Sequence, residues 1–79
     1  DAGECPFCME RYDDDSGRVP RILQCGHTAC EGCYASMLRL APLDKHGHGK
    51  EFACPTCRQV TIVKGGSAAN LPKNFAALR

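Results

Sequence analysis

Tryptophan is absent from this chain, and the other aromatic residues are only Phe7, Tyr12, Tyr34, Phe52 and Phe75. In 79 residues, so little apolar bulk cannot by itself hold a domain together with a comfortable margin. Long apolar runs are missing too, so no segment reads as a signal peptide or a membrane span. Nothing in these residues points to the oxidising secretory route, and the expected location is intracellular: cytoplasmic, or nuclear or endomembrane-associated through a parent protein. A start at Asp1 rather than Met suggests a segment of a longer chain. A strong charge of either sign is also lacking, with ten Lys and Arg against nine Asp and Glu. That balance gives no basic face for nucleic acid.

What the chain has instead is sulfur. There are seven cysteines, an odd number that a closed disulfide framework would leave with one unpaired. Metal is then the better staple. Metal-bound thiols are thiolates, so seven negative charges against four positive ones on two divalent ions take the formal +1 to roughly −2.

The spacing of the sulfurs supports metal. Read as ligands, the chain is Cys5-x2-Cys8, then sixteen residues, Cys25-x-His27-x2-Cys30-x2-Cys33, then twenty residues, and Cys54-x2-Cys57. Zinc takes four sulfur or nitrogen donors in a tetrahedron, so eight donors make two closed structural sites with no open position for a catalytic water. A Cys-x-x-Cys turn delivers two sulfurs to one ion, and Pro6 pre-sets the backbone between Cys5 and Cys8. Spacing leaves the pairing open: the four pairs could interleave, or they could fill the sites in sequence as in LIM or FYVE-like arrangements.

Between the ligands, residues 19–24 read as a β-rich approach to the Cys25-Gly26-His27 turn, which predicts a small hairpin. Tyr34, Met37, Leu38 and Ala41 fall at i, i+3, i+4 and i+7, predicting a helix over 31–41 that Pro42 helps to stop. Residues 43–50 have the composition of an exposed loop, which makes His46 and His48 surface histidines rather than ligands. Residues 51–53 and the β-branched segment 59–63 predict two further strands. After Gly65-Gly66-Ser67, a short helical turn is expected to pack Phe75 and Leu78 inward. The acidic residues 13–15 lack the ligand spacing of a calcium loop and read as a solvated turn.

The ligand order of seven cysteines and one histidine resembles the RING finger family at every position. Cys5-Pro6-Phe7-Cys8-Met9-Glu10, Leu23-Gln24-Cys25-Gly26-His27, Cys54-Pro55-Thr56-Cys57-Arg58 and the tail 71–78 look like tripartite-motif RING domains. They also resemble plant ligases with kinase and ankyrin regions, of the KEEP ON GOING type, towards which Arg58-Gln59-Val60 and Lys73-Asn74-Phe75 lean. The resemblance implies a small zinc-stabilised α+β cross-brace with a short β-hairpin or sheet, one central helix and two zinc-bound loops. It assigns residues 1–64 to the RING and 65–79 to a tail that packs on it or extends it. Cys5, Cys8, Cys30 and Cys33 would bind one Zn2+, and Cys25, His27, Cys54 and Cys57 the other. It further implies a ubiquitin ligase module, with a groove of Phe7, Met37 and Pro55 that receives a ubiquitin-conjugating enzyme. Arg58 would position the linked ubiquitin for transfer to a substrate lysine, without a covalent intermediate on this chain. The protein substrate would be held by other domains of the parent. Phe7 replaces the more usual aliphatic residue and Met37 stands where many members have Trp, changes that bear on which conjugating enzyme docks.

The plainer readings are specific. Met37 divides evenly between groove and core, because an amphipathic helix must face something. Leu38 and Phe52 are assigned to the core, and Arg58 could be a solvated arginine. The rival function is a catalytically inactive, zinc-stabilised interaction or dimerisation domain.

Overall fold

The computed structural model describes residues 3–14 and 17–78. Strand β1 (Pro20–Ile22) pairs antiparallel with β2 (Thr28–Cys30), with Arg21 opposite Ala29. Between them Gly26, at φ +97, lets its N–H return to the Leu23 carbonyl at 2.9 Å and closes the turn. Helix α1 (Glu31–Leu38) follows without a linker. Strand β3 (Gly49–Ala53) and β4 (Val60–Lys64) form a second antiparallel pair, with Glu51 opposite Ile62. Short 3-10 turns at Ala68–Asn70 and Phe75–Leu78 complete the described order.

The start of α1 is fixed by a thiol. Cys30 is the N-cap, in extended conformation, and its Sγ accepts from the Cys33 N–H at 3.4 Å, as a serine or aspartate oxygen does in other helices. The next orphan donors go to the preceding loop: Glu31 N–H donates to the Val19 carbonyl at 2.8 Å and Gly32 N–H to the Gly17 carbonyl at 2.7 Å.

The helix is shorter than the predicted 31–41. It ends at Leu38, and the residues that follow make tighter turns, Leu40 N–H to Met37 and Ala41 N–H to Leu38. Pro42 explains this: it has no N–H for the Leu38 carbonyl and pushes Ala41 out of the helical region. Besides Ala41 N–H, the Leu38 carbonyl accepts from the Lys50 ammonium at 2.7 Å.

The core is one cluster: Leu23, Ala29, Tyr34, Leu38, Phe52, Val63, Ala68 and Leu71 around the buried thiols of Cys5, Cys30 and Cys54. Tyr34 and Phe52 meet edge to face, with centroids 5.5 Å apart. The Tyr34 hydroxyl donates to the His27 carbonyl at 3.2 Å. Tyr34 and Leu38 are buried, with Met37 and Ala41 partly buried against them, so the face read from periodicity is the one that packs.

Two expectations are corrected at the tail. Phe75 is 69% exposed, with the Lys73 ammonium 5.5 Å from its ring, and Leu78 is only half-buried. The tail instead buries Ala68 and Leu71, and runs along the edge of β1. Ile22 N–H donates to the Pro72 carbonyl and Asn74 N–H to the Pro20 carbonyl, each at 2.9 Å, with Lys73 bridged to Arg21. Backbone pairing therefore sets how the tail lies, and it turns Phe75 away from the core.

Candidate metal centres and the surface around them

Each Cys-Pro-x-Cys segment folds into the same knuckle. In the first, Met9 N–H donates to the Cys5 carbonyl at 2.9 Å and Cys5 N–H to the Glu10 carbonyl at 2.9 Å. In the second, Arg58 N–H donates to the Cys54 carbonyl at 2.7 Å and Cys54 N–H to the Gln59 carbonyl at 2.9 Å. The reversal puts the residue after the second cysteine in the left-handed region, Met9 at φ 63 and Arg58 at φ 66. Non-glycine residues accept that conformation only where surrounding bonds impose it.

The donors gather in two groups that alternate along the chain. Cys5, Cys8, Cys30 and Cys33 form one, and Cys25, His27, Cys54 and Cys57 the other, with the ligand atoms of each group within 4.8 Å of one another. The sequential alternative is thereby excluded. In the first group the Sγ pairs Cys5–Cys33 and Cys8–Cys30 are 3.7 Å apart. Sulfurs around a tetrahedral ion with bonds of about 2.3 Å stand about 3.8 Å apart, so the separation fits an ion of zinc's size. In the second group Cys25 Sγ and Cys54 Sγ each lie 3.4 Å from His27 Nδ1, which makes Nδ1 the donor atom.

Electrostatics point the same way. Burial works against a charged Cys5, but N–H groups of Cys30, Cys8 and Phe7 outweigh it and hold the thiol down at about 7. Cys54 is likewise brought to about 6 against burial, by the N–H groups of Cys57 and Thr56 and by Cys25. Their neighbours move the other way: burial, with Cys30, Cys5 and Cys8 alongside, raises Cys33. Four close sulfurs cannot all ionise unless a cation sits among them, and a divalent ion answers that repulsion.

The remaining sequence-predicted residues lie outside these groups. Phe7, 41% exposed, stands in the first knuckle, and Pro55 is exposed in the second. Met37 is partly buried against the core and also lines a shallow depression with Cys8, Glu10, Arg18 and Cys33, a depression that includes neither Phe7 nor Pro55. Arg58 is exposed, and among the described residues its guanidinium has no partner.

Sequence reading missed the double use of Cys30 as donor and cap, and the role of Lys50 at the helix end. The signal for the second was available: a proline four residues after Leu38 leaves that carbonyl without its helical donor.

The RING-type zinc-finger family matches this chain over residues 5–55. The chain is a RING-type zinc finger. Similar proteins include the E3 ubiquitin-protein ligase KEG of Arabidopsis thaliana, 39% identical over 74 residues. The E3 ubiquitin-protein ligase arc-1 of Caenorhabditis elegans is 38% identical over 76 residues, and Tripartite motif-containing protein 2 of Homo sapiens is 34% identical over 71. These matches cover 94%, 94% and 90% of this chain but only 4%, 13% and 8% of the respective relatives. The likeness is therefore to their RING segment. The alternating donor groups make the RING a cross-brace: each ion site draws on segments far apart in sequence, and neither half can fold around its ligands alone. Among the described residues, no helix is long and apolar enough to cross a membrane.

Proposed function

We propose that this RING is the module of a ubiquitin ligase that receives a ubiquitin-conjugating enzyme and promotes transfer of its ubiquitin to a substrate lysine. The observation that carries the reading is the exposure of Phe7. Two phenylalanines are exposed among the described residues: Phe75 lies on the tail, whereas Phe7, 41% exposed, sits on a knuckle stiffened by metal-ligand positions. An exposed aromatic on a rigid support is the usual anchor of a protein interface. Phe7, Met37 and Pro55 form the docking surface, and Cys5, Cys8, Cys30 and Cys33 with Cys25, His27, Cys54 and Cys57 hold two Zn2+.

When bound, the two ions supply structure rather than chemistry, since all four donors of each closed site come from the protein. The chain's own contribution is positioning. Arg58 follows the last ligand in a conformation imposed by the knuckle, and its planar fork can donate to the ubiquitin and the conjugating enzyme at once. Held still, the thioester carbonyl faces the attacking amine of the substrate lysine, and the loss of rotational freedom is met before reaction. Names of relatives such as E3 ubiquitin-protein ligase KEG support the reading.

The test is single-turnover discharge of ubiquitin from a panel of loaded conjugating enzymes. The wild-type chain should accelerate at least one. Phe7→Ala should weaken docking by about 2 kcal/mol, roughly thirtyfold in Kd. Arg58→Ala should slow discharge by roughly tenfold with docking retained, the scale of a lost charged hydrogen bond. A folded, metal-loaded chain that accelerates none, and binds none in titration, would instead be an inactive interaction domain.

A further inference from the structure

We propose that His46 and His48, read from the sequence as surface histidines, form a third metal site, separate from the two thiolate groups. It would take an exchangeable divalent ion of the imidazole-preferring class, such as Ni2+, Cu2+ or Zn2+. The two rings lie on the turn between α1 and β3, with centroids 5.8 Å apart. A ring bound through one nitrogen has its centroid about 3.2 Å from the ion, so two rings on one ion stand about 4.5 to 5.2 Å apart at bond angles of about 90° to 110°. Closing the remaining gap takes only a small rotation of two side chains.

The turn that carries them is held by its backbone. Asp44 N–H donates to the Gly49 carbonyl at 2.8 Å and Gly47 N–H to the Asp44 carbonyl at 3.0 Å. Gly47, at φ 72, supplies the left-handed residue that brings His46 and His48 to the same side of the turn. Both histidines are exposed, so the ion can arrive from solvent and waters can complete its shell.

Asp44 stands beside His48. Its side chain is only 12% exposed, and the partner it faces is the His48 ring, with Oδ2 3.9 Å from Nδ1. That separation is too long for a hydrogen bond in the free chain; closing it as the ring turns to a metal would let the carboxylate accept from Nδ1–H and leave Nε2 for the ion, the outer-shell arrangement of histidine ligands. The His48 side chain, 76% exposed, is free to make that turn. Lys45, adjacent and exposed, opposes a cation, so the site is one for a late transition metal bound by imidazole and not for calcium or magnesium bound by charge.

The experiment titrates Ni2+ into the untagged chain loaded with zinc, followed by 1H–15N correlation spectra and by zinc content. One equivalent should saturate, with paramagnetic broadening centred on residues 44–49 and no zinc released. His46→Gln and His48→Gln should each weaken binding about tenfold or more, and Asp44→Asn about tenfold, the usual effect of losing an outer-shell partner. Binding that never saturates, broadening centred on the knuckles, or either histidine variant binding as tightly as the parent would overturn the site. The substitutions lie on an exposed turn, so an unchanged dispersion of the remaining signals separates loss of the site from loss of the fold.

Discussion

Pro42 denies the Leu38 carbonyl its helical donor, leaving it a longer bond from Ala41 N–H at 3.1 Å, and Lys50 reaches it from the start of β3 as a second donor. A charged donor at a helix C-terminus also meets the negative end of its dipole. Lys50→Met keeps the stem and removes the charge, and should cost about 1–2 kcal/mol. In a domain of this size, that lowers Tm by roughly 4–8 °C for each kcal/mol. Thermal unfolding of the metal-loaded chain reads it, and an unchanged midpoint would mean that the Ala41 N–H satisfies the carbonyl by itself. Arg58 offers a contrast, because its residue identity opposes its backbone conformation. Glycine fits the left-handed region freely, so Arg58→Gly should be about 1 kcal/mol more stable than Arg58→Ala. Both variants should discharge ubiquitin slowly. Stability and activity moving apart in this pair would place the arginine's value in function rather than in the fold, and equal stabilities would deny the strain.

At the scale of elements, the knuckles, the β1–β2 hairpin and the face of α1 could be read in advance. Each is encoded within a few neighbouring residues: Cys-Pro-x-Cys, a glycine between two ligands, and apolar residues at helical spacing. What could not be read depends on distant partners. The tail's strand-like pairing with β1 joins residues about fifty apart through backbone groups, which carry no signature in the sequence. Gly49 shows the same limit. Looking like loop glycine, it lies opposite Lys64 in β3, where an added Cβ would collide with the Val63 backbone. Gly49→Ala should therefore destabilise by about 1–3 kcal/mol, the range for forcing atoms into a packed site. The tail permits an element-sized test as well. A chain ending at Lys64 loses Ala68 and Leu71 from the core, along with the Arg21 Nη1 bond to the Leu71 carbonyl at 2.9 Å and the Asn74 bond to Thr28 at 2.8 Å. Loss of the leucine alone should cost about 2–5 kcal/mol, so denaturant unfolding should find the shortened chain marginal. A midpoint equal to that of the full chain would show the tail to be dispensable.

For the whole molecule, the donors decide whether there is a fold at all. Cys5, Cys30 and Cys54 belong to the core cluster while serving as ligand positions, so the metal sites and the apolar interior are one structure. Removing the ions leaves buried, crowded sulfurs and a core too small to compensate, and a strong chelator should unfold the chain cooperatively. Protons should do the same, and the sign follows from the thiols. The pKa values of Cys5 and Cys54, about 7 and 6 in the fold, lie below the ordinary thiol value of 9.0, whereas Cys30, Cys33 and Cys57 lie above it until a cation sits among them. A group depressed on folding stabilises the native state above its unfolded pKa and loses that contribution as pH falls through its folded pKa. A bound cation depresses the thiols further, so the metal-loaded chain should survive below pH 6 and then lose ions and structure together. Circular dichroism and elemental analysis on the same acid titration check this. Two equivalents of zinc should leave in step with the fold, and an ordered, metal-free chain at mildly acid pH would show that burial alone suffices.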